Sequence, residues 1–228
     1  MQFQGFPKQT LPFLEAMQKN NNKEWFTLHK EEYNRYILEP SKAFVVEMGE
    51  ELFLLTPHIR YAPKYNHSLF KIYRDTRRMG YDKRPLKERI GFIWWEGVQK
   101  RLQSSSFYCH FDTKTLFVSV GIRWFETPNL KRYRIFLEEK TNQQRLQNII
   151  TSLEKKGYNL LPKELKRYPK GLQGVELALY KSMAMYKELP SSLIEDGEKL
   201  IEKLFTIYED MLPLQQIVYE ITQIELME

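Results

Sequence analysis

The chain has a single cysteine, Cys109, in 228 residues, so no intrachain disulfide can form. No apolar run approaches the roughly 20 residues needed to span a bilayer. The opening MQFQGFPKQT lacks a basic stretch followed by an apolar one, so no signal peptide is expected. Together these absences point to a cytoplasmic protein with no membrane partner. The four histidines, His29, His58, His67 and His110, show no paired-ligand spacing. There is also no glycine-rich phosphate loop or dinucleotide fingerprint. No metal and no cofactor is therefore expected. No linker rich in Gly, Ser or Pro divides the chain, and no repeat occurs, so residues 1–228 read as one domain.

What the chain has is aromatic mass and unevenly placed charge. Fourteen Tyr, fourteen Phe and four Trp supply large buried area. The net charge is only +6. Residues 71–89, KIYRDTRRMGYDKRPLKER, carry eight bases and three acids, a local net of +5. Residues 191–228 carry nine acids against Lys199 and Lys203, a net of −7. A concentrated excess of this kind must be solvated, paired, or turned toward an anion.

The pattern along the chain predicts helices over 8–56. Thr10 is the expected cap of the first. Asn20, Asn21 and Asn22 break it and cap a second, which Pro40 ends. A third uses Phe44, Val45, Met48 and Leu52. Residues 69–75 and 90–95 alternate well enough for strands. The clearest β signal is 106–125. A turn at Thr113-Lys114 would pair 111 with 116, 109 with 118 and 107 with 120. One face of that hairpin is wholly apolar. The other carries Tyr108, His110, Ser119, Gly121 and Arg123, where small residues leave space for a cleft floor or for a closely packed helix. Helices are expected again over 128–228, with 176–186 ambiguous and Pro190 opening a long terminal helix. The fold class is α+β: a central antiparallel sheet, mainly within 69–125, between N-terminal and C-terminal helices.

Acids alternate with bases in the central segment. Fixed Arg–carboxylate pairs orient the remaining donors, and Arg suits bidentate recognition of carboxylate or phosphate. This points to a small anionic ligand held by Arg74, Arg77, Lys83 and Lys87. Arg123 and Lys181 are further candidates from other parts of the chain. Asp75, Asp82 and His110 are the candidate acids or bases of any chemistry. The alternatives are a structural ion-pair network, as in a non-catalytic scaffold or interaction protein, and a solvated face. Cys109 and His110 project to opposite faces of their strand, which argues against a catalytic Cys–His pair. Bases interleaved with Tyr73, Tyr81 and Tyr168 also leave a nucleic-acid partner open. The acidic C-terminal stretch opposes long polyanions. Oligomeric state is not legible in the pattern.

Several separated stretches carry a resemblance. They are Phe3-Gln4-Gly5-Phe6, Leu11-Pro12-Phe13-Leu14 and the run from Asn20 to Trp25-Phe26. Next come Ile72-Tyr73-Arg74-Asp75-Thr76-Arg77 and Asp82-Lys83-Arg84-Pro85. Tyr168-Pro169-Lys170-Gly171 and Leu179-Tyr180-Lys181-Ser182 complete the set. In this order they resemble the bacterial family of domains of unknown function numbered 2461. The resemblance implies a compact soluble bacterial protein and supplies no activity, substrate or cofactor. Arg78-Met79 stands where that family has Phe-Ser. Gly80-Tyr81 adds one residue before Asp82, and Leu86 replaces a frequent aromatic.

Overall fold

A computed structural model describes residues 3–75 and 84–226. At its centre is a six-stranded antiparallel sheet of order β1-β2-β3-β4-β6-β5. The strands are β1 (Ile59–Arg60), β2 (Ile90–Glu96), β3 (Ser105–Phe111), β4 (Thr115–Ile122), β5 (Asn159–Leu160) and β6 (Met183–Pro190). The α+β class expected from the sequence is the class observed.

The β3–β4 hairpin has the expected register, Phe111↔Leu116, Cys109↔Val118 and Phe107↔Val120. Its turn is held by Asp112, whose Oδ1 accepts from the Lys114 and Thr115 amides at 2.8 Å each, an Asx-type brace. Phe107, Cys109, Phe111, Val118 and Val120 are buried. Against this face lie α4 (Glu39–Leu55), α7 (Gly197–Asp210) and α8 (Leu212–Gln223). Trp94 donates its indole N–H to the Val45 carbonyl of α4 at 2.9 Å, and Phe107 meets Tyr208 of α7 edge to face at 5.2 Å. Burying such rings supplies the main apolar driving force.

The helices differ from the sequence expectation in instructive ways. Helix α1 (Thr10–Lys19) is not capped by the Thr10 side chain. The Thr10 hydroxyl donates instead to the Tyr36 carbonyl at 2.7 Å. Pro40 does not end a helix. After α2 (Lys23–Leu28) and the short α3 (Lys30–Tyr33), a π-helical turn, Asn34–Leu38, runs directly into α4. Tyr36 is the carbonyl four residues before Pro40, which has no N–H to offer it. The widened turn and the Thr10 hydroxyl both accommodate that missing donor. Asn22 does cap α2, accepting from the Trp25 amide at 2.8 Å.

Residues 69–75 form no ladder strand. Leu69 bridges Phe92 and Tyr73 bridges Leu86 in isolation. The segment leaves the sheet edge early because it turns to pair with 85–87: the Arg74 amide donates to Pro85 and the Lys87 amide to Ile72, at 2.8 Å each. At the other end, Pro190 closes strand β6 rather than opening a helix. A 3-10 turn, Ser191–Glu195, follows, and Asp196 caps α7 through the Lys199 amide. Residues 183–190, in a region expected to be mainly helical, thus supply a strand that pairs along all of β4.

Candidate functional site

The second face of the sheet follows from the same alternation. Strand registers place Ile93, Tyr108 and Ser119 in one cross-strand row, and Ser106, Gly121 and Ala184 in the next. The small row lies beneath a cavity of about 360 Å3. Phe117 stacks on His110 at 4.9 Å and on Tyr186 at 4.9 Å, forming an aromatic rank along one end of this face. Phe70, Leu102, Trp124 and Leu161 supply walls and rim. Of the two alternatives for this face, a cleft floor and a closely packed helix, the structure has the cleft.

Gly121 makes the floor possible. Its φ is +119, and a Cβ there would stand 2.1 Å from the Met183 carbonyl oxygen of β6. Ser106 and Ser119 turn their hydroxyls onto the sheet, donating to the Gly121 and Met185 carbonyls at 2.9 Å. Their polarity is consumed by backbone, and the floor they leave is weakly polar.

Cations gather on this floor. Lys87, Arg89 and Arg123 line the cavity, and Glu126 is the one carboxylate among its described lining residues. Lys87 and Arg101 both lie over the Phe70 ring, at 5.7 and 4.4 Å. Lys87 also donates to the Lys71 carbonyl at 2.6 Å. Burial, Arg89 and Arg101 push its ammonium below its ordinary value. Arg89 and Arg123 form no ion pair among the described residues. Both act on Tyr108 and His110. Burial first, then Arg89, takes His110 down to about 4, with Arg123 adding and Asp112 opposing. Burial raises Tyr108 to about 12 against the pull of the two arginines. His110 is thus a neutral imidazole, and its Nδ1 is buried without a hydrogen-bond partner. Tyr108 is a protonated phenol lining the cavity and felt by both Arg89 and Arg123.

The sequence candidates divide among several places. Lys87 and Arg123 meet at the cavity, and His110 stands beside it. Arg74 and Asp75 lie instead in an open depression of mixed charge with Arg84, Glu88 and Asp112. Lys87 and Arg89 border both hollows. Lys181 does not line the cavity; its ammonium sits 5.2 Å over the Trp124 ring. Arg77, Asp82 and Lys83 lie outside the described residues. Arg84 pairs with Glu88.

The family model described as Conserved hypothetical protein (DUF2461) matches residues 9–216. The chain belongs to this family. No curated protein matches it.

In this DUF2461 chain the junction of α1 and α2 is tied to the segment that leads into the cavity. Asn21 holds Leu86 by both backbone groups: the Leu86 amide donates to Oδ1 at 2.9 Å, and Nδ2 donates to the Leu86 carbonyl at 3.1 Å. A side-chain amide here replaces a strand neighbour, so the segment bearing Lys87 and Arg89 is tied to the α1–α2 junction. Replacing it should free the buried Leu86 N–H. Asn21→Ala is expected to speed hydrogen exchange at the Leu86 amide by about tenfold or more. An unchanged Leu86 exchange rate would show that the clamp holds nothing.

Sequence reasoning placed Tyr108 on the possible cleft face without naming it a site residue, and missed Arg89, Phe70 and Trp124. A signal for the first was present. Counting back by twos from Gly91 along β2 reaches Arg89 and Lys87 on one side. Gln103 was also missed. It donates to the Trp124 carbonyl at 2.9 Å and accepts from the Glu126 amide at 2.9 Å, bracing the rim. No periodicity could foretell that contact between two loops.

Among the described residues, no group of His, Cys, Asp or Glu is placed to hold a metal ion. No helix of theirs is long and apolar enough to cross a membrane.

Proposed function

We propose that the protein binds a small organic anion in the cleft on the open face of its sheet. The observation that carries this reading is the convergence of Lys87, Arg89 and Arg123 on one concavity whose described lining holds a single carboxylate. Like charges lining one weakly polar hollow repel one another, as Arg89 does Lys87, and an anion relieves that repulsion. The depressed Lys87 and His110 are consistent with the same field. The volume falls at the small end of the roughly 300–1,000 Å3 typical of organic-ligand sites. A nucleic acid would call for cations spread along a track. Cations converging on a concavity favour a small ligand instead. Tyr108, kept protonated, donates to the bound anion, and Arg89 and Arg123 supply its countercharge.

Isothermal titration with inorganic phosphate and with benzoate tests this. At least one is expected to bind, and the Arg89→Ala/Arg123→Ala double variant to bind about tenfold or more weakly. Both arginines are exposed, so the variant should fold. Binding of neither anion, or equal binding by the variant, would overturn the proposal.

A further inference from the structure

We infer that the ligand carries two acidic groups, one at each end of an apolar chain, and lies along the strands from Arg89 to Arg123. This rests on the anion-site reading above and concerns how many charged heads the ligand brings. Arg89 immediately precedes β2, and Arg123 immediately follows β4. Both strands pair antiparallel with β3, so they run in the same direction. The start of one and the end of the other are therefore opposite ends of the sheet. Ile90 shares a row with Phe111 and Leu116, whereas Gly121 shares one with Ser106 and Trp95. Alternation turns Arg89 with Gly91, and Arg123 with Gly121, to the open face. Both arginines line the cavity. Counted along the strands they stand about eight positions apart, roughly 26 Å between backbones. Each side chain reaches inward by about 7 Å at most on ordinary bond lengths, which leaves a gap on the order of 10 Å. One carboxylate cannot pair with both guanidiniums across that gap. Two joined by a chain can.

The charge of the cavity agrees. Among its described lining residues Lys87, Arg89 and Arg123 stand against Glu126 alone, an excess that a dianion neutralises. The two ends are unequal. Lys87 stands two residues from Arg89 on the same side, and the Tyr108 hydroxyl lies 3.2 Å from where a Gly91 Cβ would be, next along that side. Arg123 shares its end with Glu126. The first head is therefore held mainly at the Arg89 end, and the second adds affinity at the Arg123 end. Between them the floor offers little hydrogen bonding apart from Tyr108. The Ser106 and Ser119 hydroxyls donate to the Gly121 and Met185 carbonyls, and Ile93, Gly121 and Ala184 complete the lining there. A hydroxylated chain would lose water without regaining partners. Methylenes gain by burial.

Isothermal titration with suberate, octanoate, succinate and inorganic phosphate tests this. Suberate is expected to bind about tenfold tighter than octanoate, because its second head binds intramolecularly once the first is held. Succinate, too short to reach both ends, should bind about tenfold or more weakly than suberate. Arg123→Ala should weaken suberate about tenfold and leave octanoate unchanged, whereas Arg89→Ala should weaken both. Octanoate as tight as suberate, with phosphate bound, would overturn the second head while the anion site stood. So would an Arg123→Ala variant that weakened octanoate as much as suberate, since both arginines would then hold one head. Succinate as tight as suberate would overturn the span. Binding of neither phosphate nor any of the three acids would overturn both readings.

Discussion

Gly121→Ala is expected to cost about 4 kcal/mol or more of folding stability, enough to leave a marginal domain largely unfolded. Two effects combine. The backbone at Gly121 has φ +119, a conformation that L side chains avoid at a cost of about 1–3 kcal/mol. The added Cβ would also stand 2.1 Å from the Met183 oxygen and 2.9 Å from the Ala184 Cα. Those atoms are backbone of β6, so no side chain can swing aside, and β4 and β6 must separate. Gly171→Ala isolates the first effect. Gly171 has φ +86, and nothing lies within 4 Å of the place its new methyl would occupy, so its change should cost only about 1–2 kcal/mol. Urea unfolding of the two variants measures the difference. Equal stability losses would show that β6 does not press on Gly121.

The sequence carried the hairpin and its two faces because alternation is a local property. Phe107, Cys109 and Phe111 against Tyr108 and His110 needed no knowledge of distant residues. It also placed Lys87 and Arg123, though not their meeting. That meeting depends on β2 lying beside β3 and β3 beside β4, which brings Arg89, Tyr108 and Arg123 to one cavity. The strand at 183–190 was harder to read. Met183, Ala184 and Met185 are all buried, so the run shows no clean period, and only its pairing with β4 fixes it. Pro40 misled because a proline reports a missing donor, and a tertiary partner or a widened turn can absorb that loss. For Pro40, the Thr10 hydroxyl lies 26 residues away in sequence.

His110 should make the protein lose stability as the pH falls through the mildly acidic range. Its imidazole ordinarily titrates near 6.5 and is held at about 4 in the folded chain, chiefly by burial and by Arg89. Above the unfolded value both states are neutral, and His110 contributes nothing to the pH dependence. Below it the unfolded chain takes up a proton that the folded chain refuses. Folding therefore weakens until the folded value is reached, and then levels off. The loss is about 2 kcal/mol between about pH 7 and about pH 5, and about 3 kcal/mol in full. The other groups facing the ring are Arg123, which adds to the depression, Asp112, which opposes it, and Tyr108, which stays protonated through this window. His110→Phe keeps a ring to stack on Phe117 and removes the titration. Urea unfolding of the variant should show a correspondingly flatter slope between those two pH values. A slope identical to that of the native chain would mean that His110 takes up its proton in the folded chain as readily as in the unfolded one. The same linkage bears on the cleft: an anion beside Arg89 and Arg123 offsets their field, raises the His110 value and draws in a proton, so binding should tighten as the pH falls toward 5.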